Sequence, residues 1–290
     1  MKKILVPIDF SKLSLNALDY AVKMAKEISA QVDIINIVER PGNPPTSTSG
    51  DHMRDVNDQM DDVFTMKLME KNKIRLRKLS EKEEYKGYIK HFDIRVNNIY
   101  TAIADSIAAS EADLLVMGTS GTEGLEGMLF GSHTIDVVDK ASCPVLVVKE
   151  DTVYRPIKNI VFPSLFDENI TEITSRVKEV AKAFNAKLHL LRVNTNSYFL
   201  STQESDELME NFAKTHNLTN YTTNAIDSKS EEKGILDFTE KIDADVVAIM
   251  THAYTGFMRI FHDSIAEGVS NEARVSVMML NIEIEELAKK

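Results

Sequence analysis

The chain repeats itself, and no other feature restricts its fold as strongly. Residues 3–10 read KILVPIDF and residues 159–166 read NIVFPSLF, with Pro7 opposite Pro163 and Phe10 opposite Phe166 at an offset of 156. The same offset carries Ala25-Lys26 onto Ala181-Lys182 and the apolar run Val32–Val38 onto Leu188–Asn194. Toward the end of each half the offset becomes 132. There Asp113-Leu114-Leu115-Val116 meets Asp245-Val246-Val247-Ala248 without a gap, and the match runs on through Gly124/Gly256, Ser132/Ser264, Ala141/Ala273 and Val145/Val277. The second copy is therefore shorter by 156 − 132 = 24 residues in its middle, and the first carries the extra length around Pro41 to Asp62. Expected domains are 1–150 and 151–290, joined by a short charged linker at Lys149, Glu150 and Asp151. A length of 290 residues is enough for two cores.

Within each copy, apolar strands alternate with amphipathic helices. Ile4 to Ile8 is a short apolar run, as in a buried parallel strand. Leu15, Leu18, Val22 and Ala25 then recur at helical spacing, with Ser11 or Ser14 as N-cap. In the second copy Ile170, Ile173, Val177, Val180 and Phe184 form the matching stripe. Val32 to Val38 is a second strand, and the Pro- and Gly-bearing stretch from Pro41 to Gly50 is a loop. Residues 51–84 read as one long charged helix, with Val56, Met60, Val63 and Met69 on a partial stripe. His91–Val96, Leu114–Met117 and Pro144–Val148 complete the strands, and helices are expected at Ile99, Ile103, Ile107 and over 132–140. The order βαβαβαβαβ predicts an α/β domain with a five-stranded parallel sheet covered on both faces. Ligands of such sheets sit beyond the carboxyl ends of the strands, where Asp9, Val38 and Gly118 fall.

Composition narrows the function. The formal net charge is −11, and the densest basic stretch, Lys71 to Lys78, is followed by Glu81, Glu83 and Glu84. Such a chain repels phosphate backbones, so no nucleic-acid partner is expected. A single cysteine excludes an intrachain disulfide framework and a Cys-based zinc site, and it suits a reducing compartment. The N-terminal MKKILVPID has no secretory h-region, and no apolar run approaches the roughly 18 residues that span a bilayer. The expectation is a soluble cytoplasmic protein with no membrane partner.

One motif carries chemistry. Met117-Gly118-Thr119-Ser120-Gly121 is followed, nine residues later, by Gly131-Ser132-His133-Thr134, giving G-x2-G-x9-G-S between a strand and a helix. Glycines let backbone N–H groups approach a ligand. The helix N-terminus offers unpaired N–H groups and partial positive charge to a phosphate. Ser132 and Thr134 add hydroxyls, and the loop has almost no basic residues. The second copy has Met250, Ala253, Asp263 and Ser264 at these positions, and Leu165 in place of Asp9. The domain thus survives without the glycines and the acid, which points to a ligand rather than the scaffold as their reason.

With VPIDFS at the first strand end, the full glycine motif and the terminal CPVLVV strand, the sequence resembles the universal stress protein family in its tandem two-domain form. The resemblance spans nearly the whole chain. It implies two copies of an adenine-nucleotide alpha-hydrolase-like (Rossmann-like) domain. It also implies ATP, with Mg2+ as an accompanying ion, in the first copy only. By the family's pattern, Asp9 would face the ribose, Pro7 would shape the pocket and the Val38 backbone would bond adenine. Met117 would line the pocket, while Gly118 and Gly121 would wrap ribose and phosphates. Gly131, Ser132, Thr134 and the His133 N–H would hold the phosphate tail. Where members often have glycine before the third helix, this chain has Val96-Asn97-Asn98-Ile99. Fifth strands pair between subunits in the family. Here Cys143–Val148 and Val275–Leu280 could pair within one chain as a pseudo-dimer, leaving either a monomer or a homodimer of that unit.

Other chemistries lack support. No Walker A, dinucleotide fingerprint or nucleophile elbow is present. The seven histidines are scattered, Cys143 before Pro144 reads as a packed small hydrophobe, and Asp55, Asp58, Asp61 and Asp62 read as a solvated helix face. Met278-Met279 and Phe257-Met258-Ile260-Phe261 form an apolar surplus that reads as core, or as an apolar ligand or partner site in the second copy. The leading expectation is a non-enzymatic nucleotide-binding stress or signalling module with an unidentified protein partner. The alternatives are a scaffold that binds no nucleotide and a slow ATPase or phosphotransferase.

Overall fold

The computed structural model describes residues 1–39, 56–119, 132–150, 152–166, 170–251 and 259–281, without side chains for 56–61, 132–135 and 259–264. The first repeat runs β1 (Lys3–Pro7), α1 (Lys12–Ile28), β2 (Gln31–Val38), α2 (Val56–Ser80), β3 (Ile89–Val96), α3 (Ile99–Ser110), β4 (Leu114–Thr119), α4 (Ser132–Lys140), β5 (Val145–Lys149). The second runs β6 (Asn159–Pro163), α5 (Thr171–Ala183), β7 (Lys187–Asn194), α6 (Thr202–Thr215), β8 (Tyr221–Asp227), α7 (Glu231–Lys241), β9 (Val246–Met250), α8 (Arg259–Glu272), β10 (Ser276–Leu280). The two half-sheets fuse into one ten-stranded sheet of order β3-β2-β1-β4-β5-β10-β9-β6-β7-β8. Every registered pair is parallel except β5–β10, which is antiparallel through Val147–Val277, Leu146–Met278 and Val145–Met279. The expected intrachain pseudo-dimer is thus built by the fifth strands, whose apolar edges cover each other.

Both faces of the sheet are buried. Along β1, Ile4 and Val6 join the core that α1, α2, α5 and α6 cover, while Leu5 joins the core under α3, α4, α7 and α8. That alternation is the period-two geometry of a strand. Each core continues across the junction: Ile4 and Phe162 belong to one cluster, Leu5 and Val161 to the other. The junction is also tied by polar reach in both directions. Lys149 Nζ donates to the carbonyls of Asn271 (2.7 Å) and Ala273 (2.5 Å) at the end of α8. At the matching place Asn281 Nδ2 donates to Asp139 O at 2.5 Å near the end of α4. A cation at a helix C-terminus is favourable. Burial lowers the Lys149 pKa, and the nearby Glu272 carboxylate opposes the shift.

The repeat extends to backbone detail that residue identity hides. Left-handed φ values occur at Phe10, Ser29, Gly87 and Glu111, and again at Phe166, Asn185, Asn217 and Asp243. Side chains rarely accept this conformation, so its recurrence marks turns that the fold requires. Asp113 accepts the amides of Lys2 (2.5 Å) and Lys3 (2.9 Å), and Asp245 accepts those of Lys158 (2.8 Å) and Asn159 (2.9 Å). Each carboxylate holds the start of its repeat's first strand beside the fourth, with charge-assisted bonds.

Candidate nucleotide site

In each half the chain passes from the first strand to the second on one side and returns to the fourth on the other. The switch point lies between β1 and β4, and between β6 and β9. Among the described residues the β1–β4 ladder is registered only at Ile4–Leu114 and Leu5–Leu115, so the crevice lies beyond it. Pro7, Asp9, Val38, Met117 and Gly118 all come to this carboxyl edge. Ser132, His133 and Thr134 form the first turn of α4, their side chains outside the described set, and Gly121 and Gly131 lie outside the described residues.

Asp9 is exposed and held by the start of α1. Its carboxylate accepts from Ser11 N at 2.9 Å, and its own N–H donates to Ser14 Oγ at 3.3 Å. Ser11 is the N-cap of α1, its hydroxyl accepting from Ser14 N at 3.2 Å. Partial burial pushes the Asp9 carboxyl up, but the Ser11 and Ser14 hydroxyls and the Ser11 amide outweigh it and hold the pKa below the usual carboxylate range. Asp9 is thus an anion presented to solvent at a fixed place.

The turn that carries it is anchored from α2. Ile8 N donates to Ile35 O at 2.7 Å. Asn36 Nδ2 donates to Ile8 O at 2.7 Å, and Asn72 Nδ2 donates to Asn36 Oδ1 at 2.8 Å. Both asparagines are buried. Phe10, in its left-handed conformation, lies 3.7 Å beneath the Arg75 guanidinium. Sequence reasoning missed Asn36, Asn72 and Arg75 as turn holders. The one available signal was Asn36, an amide inside the otherwise apolar run Ile34–Val38.

Two expectations change. Gly118 and Thr119 belong to β4 rather than to the loop after it. Gly118 also has a scaffold reason of its own: a Cβ there would lie 2.7 Å from Leu13 O and 2.9 Å from Leu13 C. The scaffold thus requires a glycine at Gly118 beside any role it has toward a ligand.

The second repeat closes the same place. Leu165 stands at the position of Asp9, and its carbonyl accepts from Arg192 Nη1 at 2.6 Å. Arg192 is buried at the β7 position matching Asn36 and also donates to Tyr198 O at 3.3 Å. Asn194, matching Val38, donates to Leu200 O at 3.0 Å and Asp227 Oδ1 at 3.2 Å. The connection from Thr195 to Ser201 is thereby pinned over the end of β7. Phe166 stacks edge-on against Phe212 at 5.0 Å and Phe162 at 6.2 Å, where Phe10 meets a cation.

The model of the universal stress protein family matches residues 1–149 and again 156–281. The chain belongs to the universal stress protein family. A universal stress protein of Methanocaldococcus jannaschii is 33% identical over 149 residues, covering 51% of this chain and 82% of that protein. A solved universal stress protein from Archaeoglobus fulgidus DSM 4304 covers 96% of this chain and 98% of its own, at 17% identity and a TM-score of 0.69, so the two-repeat fold is shared end to end. A universal stress protein solved in complex with cAMP covers 44% of this chain and 100% of its own, at 12% identity and a TM-score of 0.37.

The remaining candidates resolve simply. Cys143 is buried, and burial pushes its thiol pKa up to about 12, as befits a packing residue. Met278 and Met279 are buried in β10, which is the core reading. Phe257 and Met258 lie outside the described residues, as does Asp55. The long helix expected over 51–84 is α2, Val56–Ser80. Among the described residues no group of three or more His, Cys, Asp or Glu is placed to hold a metal, and no helix is long and apolar enough to cross a membrane.

Proposed function

We propose that the first repeat binds ATP at the carboxyl edge of β1, β2 and β4 and that the second repeat binds none. The site would comprise Pro7, Asp9, Val38, Met117, Gly118, Gly121, Gly131, Ser132, His133 and Thr134. The observation that carries this reading is the contrast at one place in the two repeats. In the first, an ionised Asp9 faces solvent beside the switch point. In the second, Leu165, Arg192 and Asn194 use up the corresponding groups to fasten a loop. Asp9 suits a ribose hydroxyl donor. The α4 N-terminus with Ser132 suits phosphate, since its orphan N–H groups need acceptors. A Mg2+ ion would enter with the triphosphate and be ligated by its oxygens.

The division at 150/151 separates a ligand-bearing unit from one that completes the sheet. The protein acts, on this reading, as a cytoplasmic stress-response module that presents a nucleotide-dependent surface to a protein partner, with no catalytic step assigned to any residue. Calorimetric titration with MgATP is the test. Wild type should bind one equivalent, and Asp9→Ala or Gly131→Asp should weaken binding about tenfold or more, a loss of about 1.4 kcal/mol. Absence of binding at millimolar MgATP defeats the reading, as does an unchanged affinity in Gly131→Asp.

A further inference from the structure

The helix α2 is far longer than its counterpart. It has 25 residues, against 14 in α6, and is about 37 Å long. Thr65, Asn72, Leu76 and Leu79 are buried, with Met69 half-buried on the same stripe, so the 65-69-72-76-79 face packs on the sheet. Of the seven exposed large apolar side chains among the described residues, four lie elsewhere on this one helix: Val63 (52% exposed), Phe64 (59%), Met66 (68%) and Ile74 (52%). The stripe of Val56, Met60, Val63 and Met69 read from the sequence therefore mixes two faces.

The second face has its own register. Val63, Lys67, Glu70, Ile74 and Arg77 follow one another at alternating spacings of four and three, the spacing of a coiled-coil seam, with exposed apolar side chains at Val63 and Ile74 and charges at the other three positions. This seam lies about 200° around the helix from the buried stripe. A helix with apolar positions on two opposite faces has two partners to satisfy, and the sheet is only one of them.

We infer that α2 is the contact surface for a second copy of this chain, pairing antiparallel with the partner's α2 about a two-fold axis at the middle of the helix. Self-complementarity selects this occupant. With the axis between Leu68 and Met69, Lys67 faces the partner's Glu70 and Glu70 faces the partner's Lys67. Val63 meets the partner's Ile74 on either side of that charged centre. Lys71 and Lys73 fall beside the partner's Phe64 and the partner's Met66, where their methylene stems cover apolar surface and leave the ammonium groups in water. The two helices then overlap along nearly their whole length, and an isologous two-fold contact closes on itself as a dimer. A parallel pairing would set Lys67 against the partner's Lys67 and Glu70 against the partner's Glu70, which like charges oppose. The surface is separate from the junction made by β5 and β10, and the inference does not depend on nucleotide binding.

Sedimentation of the full chain from about 1 to 100 µM tests it, a range suited to a modest interface. Wild type should pass from monomer to dimer, and Val63→Glu should stay monomeric. Lys67→Glu and Glu70→Lys should each weaken the dimer about tenfold or more, and the double variant should restore it. All three positions are exposed, so thermal unfolding of each variant should match wild type, which separates lost pairing from lost folding. A wild type that stays monomeric at the top concentration overturns the inference. So does a double variant no better than the singles. A monomeric wild type that binds vesicles of anionic and neutral phospholipid in a Val63-dependent way would assign the face to a membrane surface instead.

Discussion

The turn after the first strand is made twice in this molecule and held in two ways. In both repeats a phenylalanine adopts the left-handed conformation, φ 67° at Phe10 and 60° at Phe166. In the second repeat Phe166 sits in an aromatic cluster with Phe162 and Phe212, and buried Arg192 grips the Leu165 carbonyl. In the first repeat the ring meets the Arg75 guanidinium, and a chain of two amides grips the Ile8 carbonyl. Aromatic packing in a buried core is strong and hard to rearrange. A cation over a half-exposed ring and a relay of amide hydrogen bonds are weaker. The repeat that keeps the acid and the glycines is thus the one whose turn is lightly held. The repeat that has Leu165 in place of the acid is locked, so the same turn is held firmly in one copy and lightly in the other.

This comparison can be broken in several places. The largest effect is expected for Phe212→Ala, which removes the shared aromatic partner of Phe162 and Phe166 and should cost about 3–5 kcal/mol in urea unfolding. If its cost falls to the level of an exposed substitution, the lock is not aromatic. Asn36→Ala leaves the buried Ile8 carbonyl without its side-chain donor and should cost about 1–3 kcal/mol. It should also loosen nucleotide binding, because the same turn presents Asp9, and a stability loss with unaltered affinity would detach the relay from the site. Arg75→Ala should cost only about 0.5–1 kcal/mol, the worth of a partly exposed cation–π contact. A cost as large as that of Phe212→Ala would erase the contrast between the repeats.

The smallest effect concerns pH. The folded pKa of Asp9 lies below its unfolded value of about 3.9, so its contribution is complete above that value. It is lost as pH falls through the folded pKa. Urea midpoints should therefore drop on acidification below about pH 4 slightly more for wild type than for Asp9→Asn. Equal slopes would mean that the Ser11 and Ser14 bonds do not favour the ionised form.

Much of this fold was legible because repetition doubles every weak signal. The Asp113/Asp245 match aligned the fourth strands of the two repeats, and in the structure both carboxylates clamp the first strands. The helix over 132–140 was readable from its place after the glycine loop. At the site, the residues of the motif were legible, whereas their holders were not. Asn72 and Arg75 sit in a helix that reads as charged with only a partial apolar stripe, and nothing local says which of its amides reaches a strand. The scaffold role of Gly118 was hidden for a related reason: the crowding atom is the Leu13 backbone, which leaves no trace in side-chain pattern.

Sequence alone determined that one domain is used twice, because hydrophobic alternation and turn chemistry are local and survive divergence. It also determined which copy retains the acid and the glycines. Only the tertiary structure decided that the expected pairing of β5 with β10 is antiparallel, with Leu146 opposite Met278, and makes one continuous sheet. It alone decided that Arg192 and Asn194 close the second edge and that α2 has two opposed faces. These outcomes depend on which groups meet across distant segments, and burial and hydrogen bonding reward contacts in space regardless of their separation along the chain.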